Sequence, residues 1–540
     1  MEAVLSGEVS SRTESSPEVP VPVVQAAGAA VLWGSFGERN FGGAQLGDRR
    51  RTKRLVQVAD ALVRHPGGTL PEKLRDPGAL EAVYHLMNCE EVTHASVLAP
   101  HRAWTHSKIV EHAGPVLVIH DTTELDFTKH YSLSDAGPIG NGSRKGWLCH
   151  NALVVSPGSR EVLGLANQIL HRRAKVRKGE SQAARRKRAD RESRLWLAGT
   201  EGLPSDRKVV DVCDRGADTF EFLEHEAASG RTCVIRSCYD RCARAGHRPV
   251  EPLPPEPMGR AQPTAAAGHA VATGPDVPAL APTPDTPRTR LHALARTLPA
   301  LGQWTHHLPS ARLEKKPTQK GSKTVTQRPA RDAILHVAAA PVRVLAPQGR
   351  NGQHTHTPQS LWIVRVWEPH PPQGQDPLEW LILTNHPVTT FDEARTVVSW
   401  YECRWMIEEF HKAQKTGCGI QNPQFTTSAR LHPMIALLSV VALSLLNLRE
   451  LSRHPEAKTR PATDLVSHAY VTLLCHWRHH EDRPNWTIHD FFFALARLGG
   501  HQNRTHDHHP GWITLWRGWT HLQTMLDGTH SLKPTPPKCA

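Results

Sequence analysis

The chain has 540 residues, with 65 Lys and Arg against 52 Asp and Glu, and a formal charge of +13. Hydrophobic residues make up 39% of it, enough for several folded domains and too little for a membrane-embedded protein. The charge admits a polyanionic partner, nucleic acid above all, although any protein from a basic proteome carries the same balance.

Residues 1–32 read as a disordered tail, with Glu2, Glu8, Glu14 and Glu18 where a signal peptide needs positive charge. A helical pattern runs from Trp33 to about Ser107 and carries a basic knot, LGDRRRTKRL, at 46–55. Strands are predicted at Pro115–Asp121, in a hairpin formed by NALVVS and EVLGLANQIL, at KVVDVCD ending on Asp214, and at Thr232–Cys238. An amphipathic segment, ADTFEFLEHEAAS, follows Asp214. Between the hairpin and Asp214 lies a basic stretch, 172–194, with 11 Lys or Arg in 23 residues. It suits DNA and a solvated face equally.

Residues 249–287 hold 11 prolines in 39 positions and cannot form a packed unit. Strands resume at Ile334–Leu345, Leu361–Trp367 and Trp380–Thr384, and from Phe391 the pattern is helical almost to Leu526. The apolar run Met434–Leu448 is too short to span a bilayer and reads as a buried helix. Ten cysteines without a C-x-x-C pair exclude a disulfide framework, and the Cys233, Cys238, Cys242 cluster lacks zinc spacing. Reduced thiols in a cytoplasmic protein are expected.

Two carboxylates stand at predicted strand ends, Asp121 in VIHDTTELDF and Asp214 in VVDVCDRGAD. Carboxylates that converge can hold hard divalent cations and support phosphoryl transfer, but an Asp closing a strand also serves as a cap. A helix over YECRWMIEEFHKAQK, 401–415, would gather Tyr401, Arg404, Glu408 and Lys415 within a sector of about 60°. Such a face offers a carboxylate flanked by phosphate-binding cations. It also describes an ordinary salt-bridged surface. Glu409 falls outside the sector and reads as a solvated or packing residue.

The pattern Y-x2-R-x3-E-x6-K resembles the signature of the insertion-sequence DDE transposases of family four. LGDRRRTKRLVQVADAL is similar to that family's DNA-binding start, IHDTTELDF to its first-Asp segment and VCDRGADTFEFL to its second. RPARDAILHV, LLNLREL and LARLGGHQNRTHDHHPGWITLWRGW continue the resemblance, which covers about 33–525 in family order. The HDHH stretch at 506–509 departs from it and reads as a polar loop rather than a metal cluster.

The resemblance implies an α/β ribonuclease-H-like core with a β-rich insertion, plus helical N-terminal and C-terminal domains. The division it implies is a tail at 1–32, a DNA-binding domain at 33–110, and the core at 111–238 and 373–425 around an insertion at 239–372. A helical dimerisation and DNA-binding region at 426–527 and a tail at 528–540 complete it. An insertion also fits the spacing, 93 residues from Asp121 to Asp214 but 194 from Asp214 to Glu408.

Asp121, Asp214 and Glu408 would be the catalytic triad, holding Mg²⁺ or Mn²⁺, with two ions expected. Tyr401, Arg404 and Lys415 would grip the backbone and flipped base at the element end. Trp380, 21 residues before Tyr401, would stack on that base. Arg215 and Arg236 would touch phosphate, and Arg50, Arg51, Lys53 and Arg54, with Arg49, would bind DNA in the head. The implied activity is cut-and-paste transposition through a hairpin, on double-stranded DNA of inverted repeats and target. A homodimeric synaptic complex is expected, with no membrane partner and a cytoplasmic, nucleoid-associated location in bacteria. A nuclease that does not transpose and an inactive DNA-binding derivative remain as alternatives.

Overall fold

The computed structural model describes residues 36–531 except 66, 141, 175–178, 182–183, 185–186, 247–286, 309–310, 316–323, 329, 348–356, 376, 484, 505–506 and 508. The tail at 1–32, residues 249–286 of the Pro-rich segment, the end of the tail at 528–540, and His506 and His508 lie outside the described residues. The described residues up to Ile235, with those from Val398 onward, form one compact unit, and those described within Arg236–Val397 a second.

The first unit opens with five helices between Phe36 and Glu111. In Arg49–Arg64, Leu55, Val58, Ala59, Leu62 and Val63 are buried, the spacing of an apolar helical stripe. Asp48 caps this helix by accepting from the Arg50 N–H, a contact worth about 1 kcal/mol. His101 joins the helices to the strands that follow. Its Nδ1 lies 2.7 Å from Asn40 Oδ1, and its Nε2 accepts from the Leu165 N–H at 3.0 Å.

Six strands follow: β1 Val116–Asp126, β2 Gly137–Pro138, β3 Lys145–Val155, β4 Val162–His171, β5 Val209–Cys213 and β6 Thr232–Arg236. β3 pairs antiparallel with β1 on one side and with β4 and β2 on the other. β5 runs parallel to β1, and β6 parallel to β5. The order is therefore β4-β3-β1-β5-β6, an antiparallel meander extended by two parallel strands. The long connection from β4 to β5 and the helix Phe220–Ala228 between β5 and β6 are what parallel pairing demands.

β1 is longer than predicted. It runs five residues past Asp121, because Thr123 and Leu125 turn inward while Thr122, Glu124 and Asp126 stay partly exposed. Asp121 therefore sits within a strand, paired with Asn151, and not at its end.

The helical tail is also in pieces: Phe391–Glu402, Trp405–Lys412, Ser428–Arg453, His468–His479, Ile488–Leu498 and Trp512–Ser531. Ser428–Arg453 is apolar and long enough to cross a membrane, but 89% of its most apolar window is buried inside the protein. It is the core helix expected from Met434–Leu448.

In the second unit β7 Cys242–Ala245, β8 Thr289–Arg290, β9 Gly302–Leu308, β12 Arg331–Val344, β13 Gln359–Trp367 and β14 Glu379–Thr384 form antiparallel pairs in the order β14-β13-β12-β7-β8, with β9 also on β12. β10 Ala311–Lys315 and β11 Thr324–Arg328 make a separate hairpin.

Candidate active site

The register of the two central strands brings the first two acids together. β1 and β5 pair from Val116↔Val209 to His120↔Cys213. Asp121 and Asp214 occupy the next positions along the same register, where the two strands part. Asp214 leaves β5 into a short turn and caps it, accepting from the Gly216 N–H at 2.9 Å. Asp214 is thus a cap that also stands next to Asp121 along the register. Asp121 accepts from its neighbour's Thr122 N–H at 2.7 Å. Burial and then the charge of Asp214 push its carboxyl up to about 7, with Glu408 adding to the effect and Arg404 opposing it.

The signature segment departs from the single helix predicted over 401–415. Phe391–Glu402 ends, the chain tightens at Cys403 and Arg404, and Trp405–Lys412 resumes. Three-residue hydrogen bonds mark the tightening, Arg404 N–H to the Tyr401 carbonyl at 3.0 Å and Ile407 N–H to the Arg404 carbonyl at 3.2 Å. A π-turn, Ala413–Gly417, then carries Lys415. Its hold is polar: Ser439 Oγ of the core helix accepts from Gln414 at 2.9 Å and from Gln168 of β4 at 2.8 Å. Gln168 also donates to Asn151, the strand partner of Asp121, at 2.8 Å.

Arg404 ties the segment to β1. Its guanidinium lies 2.5 Å from Glu408 Oε1 and 3.5 Å from Asp121 Oδ2, with its side chain only 8% exposed. Burial works against its charge, but Tyr401, Glu408 and Asp121 raise its pKa above the usual arginine value. Tyr401 is buried beside it. Lys415 is half-buried, and its pKa is lowered by burial; Cys149, Glu124 and Asp126 offset this and Arg144 adds to it. Thus Asp121, Asp214, Arg404, Glu408 and Tyr401 assemble, and Lys415 stands further along β1. Glu409 turns away to Lys412 at 2.5 Å and accepts from Trp512 Nε1 at 2.7 Å, binding the signature helix to the last helix.

The oxygen donors of Asp121, Asp214 and Glu408 are of the kind a hard divalent ion takes, and the Arg404 cation stands between two of them. Among the described residues, no group of three or more His, Cys, Asp or Glu side chains is gathered closely enough to hold an ion. Asp121 and Glu408 converge instead on the Arg404 guanidinium.

The other predicted contacts differ in exposure. Arg215 is exposed on the turn after Asp214, whereas Arg236 ends β6 and is buried. Trp380 belongs to the second unit, opposite Val366, and is buried there. In the head, Arg49, Arg50, Lys53 and Arg54 are exposed, but Arg51 pairs with Glu91 at 2.8 Å and donates to the Leu46 carbonyl. The basic stretch is largely neutralised where it is described: Arg173 pairs with Glu192, Arg188 with Glu180, and Arg191 and Arg194 with Glu221.

A second ionic cluster, unforeseen from the sequence, lies on the opposite face of the same strands. His120 Nε2 is 2.8 Å from Asp211, which accepts from Arg231 at 2.6 Å; Arg231 also donates to Glu226 at 3.1 Å. His150 lies beside His120, and Gly199 closes over both, since a Cβ there would meet their rings at 2.6 and 2.9 Å. The only sequence signal was the second acid in VVDVCD, three residues from Asp214.

Residues 34–92 match the family model described as transposase DNA-binding. The matched span is the helical head with its exposed basic residues, and the match supports a transposase that acts on DNA.

Proposed function

We propose that the chain is a cut-and-paste DDE transposase with a ribonuclease-H-like core, as its resemblance to insertion-sequence family four suggests. The observation that carries the reading is the register step that sets Asp121 beside Asp214, with Arg404 and Glu408 joined to Asp121 from the signature helix. The β4-β3-β1-β5-β6 order, three antiparallel strands followed by two parallel ones, supports the core assignment. The transposase DNA-binding match supports the substrate.

Asp121, Asp214 and Glu408 would hold one or two Mg²⁺ or Mn²⁺ ions. Held there, such ions would supply activation of the attacking oxygen and neutralisation of charge at phosphorus. The chain's own residues do the placing. Arg50, Lys53 and Arg54 hold the end sequence by its backbone, and Arg404 and Lys415 hold phosphates beside the cut. Tyr401 receives the displaced base in this scheme. One strand is cleaved to a 3′-hydroxyl, which attacks the opposite strand to give a hairpin; water reopens it before strand transfer. Two copies pair the two ends in a dimer.

The test uses the DNA bordering the coding sequence. It should contain inverted repeats, and a labelled duplex of that end, with the protein and Mg²⁺, should yield a hairpin. Nicks alone would favour a non-transposing nuclease. Binding without cleavage would favour an inactive derivative.

A further inference from the structure

A site built to collect positive ions already contains one. Arg404 is the least exposed of the three ion-paired side chains: it is 8% exposed, against 18% for Asp121 and 39% for Glu408. The carboxylates face the cation and retain access to solvent, while the cation is buried between them. This is the reverse of a surface salt bridge, where the long cationic side chain stays in water. With the guanidinium there, a divalent ion would meet a like charge at close range, and the triad does not close around an ion as it stands.

Arg404 also has an alternative partner of the right shape. A guanidinium binds phosphate in a two-pronged geometry and is weakly hydrated, so exchanging a carboxylate for a phosphate costs little. Its backbone sits at the tightened step between two helices, so it can turn toward DNA without breaking either helix.

We propose that Arg404 gates the site: without DNA it occupies the cation position between Asp121 and Glu408, and a DNA phosphate draws it off, freeing the carboxylates for a divalent metal. This rests on the proposed function above and deepens it. Metal and DNA binding are then positively linked, and the linkage is reciprocal. A protein free in solution would stay unloaded, and metal would enter where a phosphate has already docked.

The experiment is Mn²⁺ binding to the full-length protein, read as loss of the free-ion paramagnetic resonance signal, with and without duplex DNA from the border of the coding sequence. Without DNA, Arg404→Gln should bind Mn²⁺ about tenfold or more tightly than wild type, since a like charge is gone from the site. Duplex should raise the wild-type affinity by a similar factor and leave the variant nearly unchanged. Asp121→Asn together with Glu408→Gln should abolish the binding in every case, which locates it.

Equal Mn²⁺ affinity of wild type and Arg404→Gln without DNA overturns the gate. If the variant does not fold, the wild type alone decides, since affinity indifferent to duplex overturns it equally. If no form binds Mn²⁺ with or without DNA, the metal-dependent reading of the site falls, and the gate with it. Mn²⁺ binding that survives loss of both carboxylates has the same meaning.

Discussion

Two ionic clusters share the strands β1 and β5, and they differ in almost every physical respect. Neighbouring residues along a strand point to opposite faces, so His120 and Asp121 belong to different clusters. On one face Asp211, Arg231, Glu226 and His120 have side chains at most 5% exposed. On the other, Asp121 and Glu408 keep partial access to water and share a single guanidinium. The comparison separates acids that hold the fold from acids that are available. In the sealed cluster burial raises Glu226, while His120 and Arg231 hold Asp211 below the usual carboxylate range against burial. In the open one, burial and then the charge of Asp214 push Asp121 up to about 7 against the opposing charge of Arg404.

The largest effects should come from exchanging one amide for one acid on each face. Asp214→Asn should leave the fold intact and reduce strand cleavage by roughly a thousandfold or more, since the proposed function needs all three carboxylates acting as a unit. Asp211→Asn should do the opposite in kind, removing the partner of Arg231 and His120 in a sealed site. A loss of about 3–5 kcal/mol is expected, measured by denaturant unfolding. If Asp211→Asn were neutral in stability, the sealed cluster would not be structural.

The same contrast explains what could be read in advance. Periodicity located the strands at 334–345, 361–367 and 380–384 within a few residues, because their apolar runs are long. It ends β1 too early, since Thr122-Thr123-Glu124 looks like a turn until the antiparallel partner at His150–Leu148 is known. It drew one helix over 401–415, because local spacing carries no trace of the tightening at Arg404 or the π-turn at Lys415, which depend on packing against β1 and Ser439. Asp121, Asp214 and Glu408 were legible through motif order. The His120–Asp211–Arg231–Glu226 cluster was not, as its members lie far apart in sequence and meet only through register and burial.

Smaller effects sharpen the contrast elsewhere. His101 uses both ring nitrogens, one toward Asn40 and one accepting from Leu165, so the neutral ring is required. Burial, with Lys108 adding to it, lowers its pKa to about 3, below the unfolded value of 6.5. The unfolded chain therefore binds the extra proton first, and stability falls as pH drops from 6.5 toward 3. Thermal unfolding of His101→Gln should show a shallower acid slope than wild type; an unchanged slope would remove His101 from the acid response.

In the head, Lys53→Ala and Arg54→Ala should each lower the salt dependence of DNA binding by about one phosphate contact. Arg51→Ala should leave that slope unchanged and cost at most about 1 kcal/mol of stability, because its partner is Glu91 at a half-exposed site. A slope change for Arg51 equal to that for Lys53 would contradict this division.

The central claim is that the open carboxylates, and not the sealed ones, perform strand cleavage. It is tested most directly by single-turnover cleavage of an end duplex in Mg²⁺ by Glu408→Gln, with the variant's fold checked by its thermal transition. A folded protein that binds the duplex and leaves it uncut is the result predicted. A folded Glu408→Gln protein that cuts at the wild-type rate would contradict it.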